Sequence, residues 1–438
     1  MRFLPALRFL MLGALAMAVP LFHWIYRTTH GLPSTFNDFH DYWLASRLIL
    51  EGHTPYDIDA LRALAHREGL SFVVGTGYSY LLPFAVVMIP FALLPFTTAV
   101  LTFNGLSLVL FGATVAVWLG RLHPGVSVWR QSIVAVTAGA YPPVYGTLAN
   151  GQANLVVLAP FALGTLLIVA TPTTRRARDV GGGIAIGLAG VVKLVPATVA
   201  LPLAIGRRFG AVVGVIAGFM GSVALATLAV PYASRGSSGL ADLVSPDPYF
   251  TNQSINGFVT RMVRDSDRTR ALLPGAFDPA VVSLVVTGLF GLVTLAILWR
   301  SRALLVAREG VVLGMALATV TAVISAPKNA IWNEALVLVG VGLLVAAVSP
   351  DLRRSHFGWL ERLLLVAWLA GVVVQTYFWE EEQVLRTWQV AAVTLIQSAA
   401  LYGLFALWVL CARRVWALPT AAGVAIVGAA DNRRTGAA

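Results

Sequence analysis

Asn37-Asp38-Phe39-His40-Asp41-Tyr42-Trp43-Leu44-Ala45, running on to Glu51-Gly52-His53-Thr54-Pro55-Tyr56, is the stretch whose reading decides the fold. It follows directly on the first apolar run of the chain. Asp and Glu together number only 20 of 438 residues, yet Asp38, Asp41, Glu51, Asp57 and Asp59 gather here. Where a chain first leaves a bilayer, a held carboxylate is a candidate general base for chemistry on a lipid-linked substrate.

Composition sets the surroundings of that stretch. The chain is 58% hydrophobic and 12% charged, with a mean hydropathy of +0.79. Soluble domains carry roughly 25% charged residues. An all-α polytopic membrane protein follows, with room for about twelve spans of about 20 residues each. The net charge of +11 does not signal nucleic acid. Its arginines stand in short clusters between apolar runs, as in loops that orient a membrane protein, and form no basic stripe. The single cysteine, Cys411, excludes an internal disulfide and a cysteine-based zinc site. His40 and His53 lack partners at metal-ligand spacing, so no metal or cofactor is expected.

Arginine clusters place the spans. The first covers Leu7 to Tyr26, with aromatics at its end that suit an uncleaved span better than a signal peptide. The second covers Ala99 to Leu119. Tyr78 to Phe96, carrying Pro83, Pro90 and Pro95, is expected as an interfacial or re-entrant helix, since a full span there would reverse the sides of Arg121 and Arg130. Further spans are expected at Gln131–Gly146, Ala153–Ala170, Gly181–Ile205 (as two half-spans broken at Lys193 and Pro196), and up to Pro231. Val281–Leu298, Val311–Ser325, Ile331–Val348, Leu363–Tyr377 and Val390–Leu410 complete the set. Residues 1–415 then form one transmembrane unit with outer loops at 27–97 and 232–279, Glu380 to Glu382 outside, both termini inside, and a disordered tail at 416–438. No internal repeat of the transporter kind is visible.

On this map Asp38, Asn150, Gln152, Asn154, Asn252, Gln253, Asn256, Arg261, Lys328, Asn333 and Glu334 all fall on the outer side. Such a set suits glycosyl transfer from a lipid phosphate. The phosphate leaves without acid help, a carboxylate takes the acceptor proton, a cation such as Arg261 or Lys328 holds the departing phosphate, and amides bond sugar hydroxyls. Structural readings stand beside these. Asp38 opens a helix and can serve as its N-cap. Gly151-Gln152 can be a turn between spans, Lys193 can snorkel, and Arg261 can belong to an ordinary charged loop.

Asp38-Phe39 with Tyr42, Ala45, Gly52, Pro55 and Tyr56, then Tyr141-Pro142-Pro143, Gly151-Gln152 with Asn154, Lys193 with Pro196, and Asn252-Gln253-Ser254 with Gly257 and Arg261 occur in that order. With them the chain resembles the bacterial polyprenol-phosphate-mannose-dependent alpha-mannosyltransferases, a C-type (GT-C) glycosyltransferase family that includes mycobacterial phosphatidylinositol-mannoside mannosyltransferases. The resemblance spans residues 10 to 410. It implies amphipathic helices in the first outer loop and an outward-facing site in the bacterial plasma membrane. It also implies Asp38 as base with Asp41 and Tyr42 close by, and inversion of a polyprenyl-phosphate-mannose donor onto a glycolipid or glycan acceptor, with at most weak metal dependence. In one place the chain departs. Where a Ser-Pro-x-x-Trp-x-His-like stretch is implied, with a histidine at the donor phosphate, it reads Ser325-Ala326-Pro327-Lys328-Asn329-Ala330-Ile331-Trp332-Asn333-Glu334. Glu334 suits sugar hydroxyls better than a phosphate, which leaves a pentose such as arabinose open as the donor sugar. A flippase for lipid-linked sugars is the reading from another class.

Overall fold

The computed structural model describes residues 3–29, 37–70, 77–169, 176–234, 245–266, 269–348, 357–379 and 395–418. Glu380 to Glu382, Ser34, and residues 419–438 of the expected tail lie outside the described residues. Among those described, all regular structure is helical, apart from isolated bridges at Asn252–Ala330 and Ser266–Thr269. Eight helices are long and apolar enough to cross a membrane.

The chain opens with α1 (Phe3–Thr29). The segment before the next long helix holds α2 (Asn37–Leu50), α3 (Ile58–Arg67) and α4 (Leu82–Ala92). Asp57 caps α3 by accepting from Asp59 N and Ala60 N. At 11 residues α4 spans about 16 Å, half of a hydrocarbon core. It starts with Pro83 in its first turn and lies against α2 with Phe84, Ala85 and Met88 buried, a short helix within the expected segment Tyr78 to Phe96.

Next comes α5 (Phe96–Leu122), antiparallel to α1. Gln131–Gly146, expected as one span, is two helices, α6 (Val128–Gly139) and α7 (Pro142–Asn150). The cause is local: Pro142 and Pro143 supply no amide protons, and Tyr141 before them is held extended at ψ 116°. The break expected near Lys193 is present, between α9 (Arg176–Val192) and the 3-10 turn η1 (Val195–Val199), which continues into α10 (Ala200–Ile205). Between them in sequence and space, α8 (Asn154–Val169) follows α7.

Small residues decide how closely α9 meets α11 (Phe209–Ala229). Gly183 and Gly187 face Gly214 and Gly218, each pair four residues apart. A Cβ on Gly183 would fall 2.1 Å from Ala211 O, and one on Gly214 would fall 2.2 Å from Val180 O. Backbone-to-backbone packing of this kind replaces the hydrophobic drive that lipid cannot supply. The pair is pinned at its base by Arg208 and Asp179, 3.4 Å apart and both buried.

After the 3-10 turn η2 (Pro231–Ser234) come α12 (Ile255–Val263), α13 (Pro279–Arg300), α14 (Arg308–Ser325), the 3-10 turn η3 (Ile331–Leu336) leading into α15 (Val337–Val348), α16 (Trp359–Trp379) and α17 (Ala399–Trp416). The last helix continues six residues beyond the expected Leu410, through Arg413 and Arg414. Arg414 pairs with Glu361 at the start of α16, so the two charges neutralise each other where the helices end.

Contacts sort the helix ends into two sets. One end of the bundle gathers Arg8 bonded to Gln131 and Val126 O, Arg208 with Asp179, Arg308 bonded to Val169 O at 2.7 Å, and Arg300 over the Trp416 ring. The opposite end gathers α2 to α4, the turn after α7, the end of α9, α12 and η3.

Candidate active site

At that second end, Asp38 and Asp41 stand in the first two turns of α2. The helix buries Phe39, Tyr42, Trp43, Leu44, Ala45 and Leu48, so its apolar face is committed to the core and the two carboxylates are carried inward at its edge. One oxygen of each, Asp38 Oδ2 and Asp41 Oδ1, is enclosed without a hydrogen-bond partner.

Gly151 brings the next component. It closes α7 in the left-handed conformation, φ 64°, where glycine carries no steric penalty. A Cβ there would stand 2.6 Å from Phe39 Cβ, so the turn can touch α2 only because the position is glycine. Gln152, the next residue, thereby lies beside Asp38. Its Oε1 accepts from the Tyr42 hydroxyl at 2.9 Å and lies 3.4 Å from the Tyr80 hydroxyl. Tyr42 and Tyr80 are joined at 2.9 Å. With the carbonyl oxygen claimed by tyrosine donors, the amide NH2 is left on the Asp38 side, where it favours the charged carboxyl.

Lys193 completes the cluster. Its ammonium donates to Asn333 Oδ1 at 2.8 Å, lies 5.7 Å from the Tyr80 ring centroid, and its charge acts on Asp38. A snorkelling lysine would reach away from the protein; this one is turned into it.

The two carboxyls are electrostatically unequal. Burial raises Asp38 above the ordinary aspartate value of 3.8, while the Gln152 bond and the Lys193 charge pull it back. Asp41 is raised much further, by burial and by the neighbouring charge of Asp38. Asp41 is thus the member more strongly biased toward its neutral form, and Asp38 the one whose neighbours favour ionisation. Tyr42, Tyr78 and Tyr80 are all pushed upward by burial and remain neutral donors.

The other expected site residues fall into two groups. Asn252, Gln253, Asn256 and Arg261 build a loop anchor. Asn252 Oδ1 accepts from Ser254 Oγ at 2.8 Å and Asn329 N at 3.0 Å. Gln253 Nε2 donates to Phe250 O and Gln397 O, and its Oε1 accepts from Leu401 N. Asn256 Oδ1 accepts from Asp247 N at 3.2 Å. Arg261 has no exposed surface and donates to Tyr249 O, Asn252 O and Ser398 Oγ. Burial lowers its guanidinium to about 10. In this structure its terminal nitrogens are taken up by protein oxygens, Tyr249 O being shared with Asn252 N. Lys328 is half-buried on the strap 326–331 that the anchor binds through Pro327 O and Asn329.

Asn154 and Glu334 meet at η3. Asn154 Nδ2 donates to Thr147 Oγ1 at 3.1 Å and Trp332 O at 2.9 Å. Glu334 is fully buried, with both carboxyl oxygens lacking partners. Among the described residues no group of three His, Cys, Asp or Glu side chains converges to hold a metal.

A helical membrane bundle with a buried carboxylate, an oriented amide and a lysine at one end is a frame for group transfer. The model of glycosyltransferase family 87 matches residues 78–327, more than half of the chain. The chain belongs to glycosyltransferase family 87. This family is of the GT-C type, and the chain is accordingly a membrane glycosyltransferase. No curated protein and no solved structure matches it. The matched segment contains Tyr80, Gln152, Lys193 and Arg261; Asp38, Asp41 and Glu334 lie outside it.

Tyr80 and Lys193 are the site groups that a sequence-only choice of site residues omits. A signal existed for Lys193, one of only two lysines and placed at a helix break before Pro196. Tyr80 carries no such mark.

Proposed function

We propose that this family 87 glycosyltransferase moves a mannosyl residue from polyprenyl-phosphate-mannose to a glycolipid or glycan acceptor, with inversion to an alpha-linked product. The acceptor hydroxyl oxygen attacks the anomeric carbon while the bond from that carbon to the phosphate oxygen breaks. The electron pair leaves with the polyprenyl phosphate, and the hydroxyl proton passes to Asp38. The observation that carries this reading is the Asp38 carboxyl held by the Gln152 amide and opposed by Lys193. A base and a cation are the two groups the reaction needs, since a phosphodiester leaves without protonation. Lys193 takes the phosphate role in place of Arg261, whose terminal nitrogens bond Tyr249 O, Asn252 O and Ser398 Oγ. Tyr42, Gln152, Asn154 and Asp41 are assigned to sugar and acceptor hydroxyls, and Lys328 to the approach of the anionic donor.

In the same reading the protein crosses a bacterial plasma membrane twelve times. The eight long helices are joined by α6 with α7, α8, α9, and η1 with α10. Alternation of helix ends between the arginine-rich end and the Asp38 end supports that count. The positive-inside tendency then puts both termini in the cytoplasm and Asp38 outside.

The test is sugar transfer by purified protein in nanodiscs, with polyprenyl-phosphate-mannose and a total lipid extract, for wild type and Asp38→Asn. Mannosylated product from wild type alone supports donor and base together. Product from a polyprenyl-phosphate-pentose only would replace the donor. Equal product from Asp38→Asn would remove the base.

A further inference from the structure

α1 and α5 touch at one level and part at another. Near their middles Gly13 meets Gly112. A Cβ on Gly112 would stand 2.9 Å from Gly13 O and 2.7 Å from Met17 Cγ, so the helices can come no closer. Toward the arginine-rich end they diverge. A Cβ on Gly120 would find nothing of the neighbouring described residues within 4 Å. The gap is a groove of about 820 Å³, within the roughly 300–1,000 Å³ of ligand sites. Its wall is residues 5–12 of α1 and residues 116–121 of α5, closed by Pro124 and Val128. Along α1 it runs for about 10 Å.

The chemistry changes along the groove. Met11, Leu12, Ala116 and Val117 make its inner part apolar, and Arg8 and Arg121 stand nearer the helix ends. No carboxylate is among the described residues that line it. Arg8 is preorganised. Its Nε donates to Gln131 Oε1 and its Nη2 to Val126 O, each at 2.9 Å, which leaves Nη1 without a bond to a described residue. Gln131 is itself fixed by donating to Leu119 O and His123 O. Arg121 is exposed and makes no hydrogen bond or ion pair to a described residue. Arg208, Arg308 and Arg414, at the same end, each have a protein partner. Two guanidinium groups and no carboxylate, beside a hydrocarbon-lined slot, match an acyl chain headed by a phosphate.

We infer that the groove between α1 and α5 binds an anionic phospholipid, with an acyl chain along Met11 and Val117 and the phosphate at Arg8 and Arg121. The lipid is a bound companion of the fold and not a substrate, since Asp38 and Lys193 lie at the opposite end of the bundle. The length of the groove suits part of an acyl chain and is short for a polyprenyl chain.

Full-length protein is released from nanodiscs of equimolar phosphatidylglycerol and phosphatidylcholine, and the lipid it retains is identified by native mass spectrometry. Wild type should retain phosphatidylglycerol in preference to phosphatidylcholine. Arg121→Gln should lower that retention about tenfold, the effect of losing one charge-assisted hydrogen bond. Gly120→Phe places a ring in the groove and should also lower it about tenfold, the effect of displacing two methylenes or so. Arg178→Gln removes an exposed charge from the same end but outside the groove, and should leave retention within about twofold. Melting temperatures show whether each fold survives. Arg121→Gln alters only an exposed side chain, so it decides the matter even if Gly120→Phe lowers the melting temperature. Equal retention of the two phospholipids would mean bulk lipid only and overturn the inference. So would an Arg178→Gln loss as large as that of Arg121→Gln, which would mean surface charge alone. Preferential retention of polyprenyl phosphate, or displacement of the lipid by free inorganic phosphate, would overturn it too.

Discussion

Replacing Lys193 by methionine separates two effects that the structure joins in one ammonium group. Methionine keeps much of the side chain's length and its apolar stem, and leaves Asn333 Oδ1 without its 2.8 Å donor. Loss of a preorganised group that stabilises a departing oxyanion costs about 2.7–4 kcal/mol, or about 10²–10³ in kcat. A second effect acts through Asp38. Burial already raises its carboxyl, and Lys193 is one of two groups that pull it down. A base works only when ionised, so the rate falls as pH drops through the carboxyl's pKa. Without Lys193 that pKa rises further, and the acid limb of the pH–rate profile moves to higher pH. Each unit of movement removes about 1.4 kcal/mol of ionised base on the acid side. The assay is mannosyl transfer in nanodiscs across the pH range, with kcat and KM for donor and acceptor determined separately. Both signatures are expected: a plateau rate lower by about 10²–10³ and an acid limb displaced upward. A plateau within about threefold of wild type and an unmoved limb would refute the placement of this cation at the phosphate and at Asp38.

Three further outcomes follow from the geometry. Asp38→Asn should lower kcat by about 10²–10⁴ with donor KM little changed, since the amide cannot accept the proton; Asp41→Asn should lower it far less, because burial and the Asp38 charge favour the neutral form of Asp41. Gly151→Ala should lower the melting temperature and the rate together. A left-handed alanine costs about 1–2 kcal/mol, and displacing Phe39 from a 2.6 Å approach adds about 1–3 kcal/mol. Arg261→Met should cut the yield of folded protein on size-exclusion chromatography, because Asn252 O and Ser398 Oγ lose a donor, and Tyr249 O one of two, in a buried loop anchor. A phosphate ligand would instead raise donor KM in a well-folded protein.

Much of the bundle was legible because apolar runs and arginine clusters report directly on the bilayer. The positions of α1, α5, α13 and α14, the break at Lys193 and the short length of α4 all agree with that pattern. The break within Gln131–Gly146 was carried by Pro142-Pro143 but hidden, since hydropathy continues across it and only the backbone donors are lost. Site residues were less legible for a physical reason. Sequence shows that a group is polar and on one side of a span, but not which partner satisfies it. Asn252, Gln253, Asn256 and Gln152 look alike as amides. Three close a loop anchor, and one is turned by two tyrosines toward a carboxylate.

The same reasoning underlies the proposal of Lys193, rather than Arg261, for the phosphate. An arginine forks across several carbonyl oxygens at once and is always charged, so it is the residue best able to hold a buried loop. Arg261 does this with Tyr249, Asn252 and Ser398. A lysine ammonium is a point charge on a flexible stem and can move with a phosphate that arrives and departs. Lys193 sits at the end of α9, where the helix has just broken, and its ammonium donates to one side-chain oxygen, Asn333 Oδ1. Substituting the chemistry rather than deleting it tests this division. Lys193→Arg should keep a positive charge near Asp38 and leave the acid limb in place. It should still slow transfer, because the fork locks onto Asn333 and cannot follow the leaving phosphate. Arg261→Lys should keep the charge too, yet lose the anchor, since three donors on one nitrogen cannot span carbonyls of residues 249 and 252 and the hydroxyl of residue 398. If Arg261→Lys folds normally and only donor KM rises, the anchor reading is wrong and the phosphate returns to Arg261.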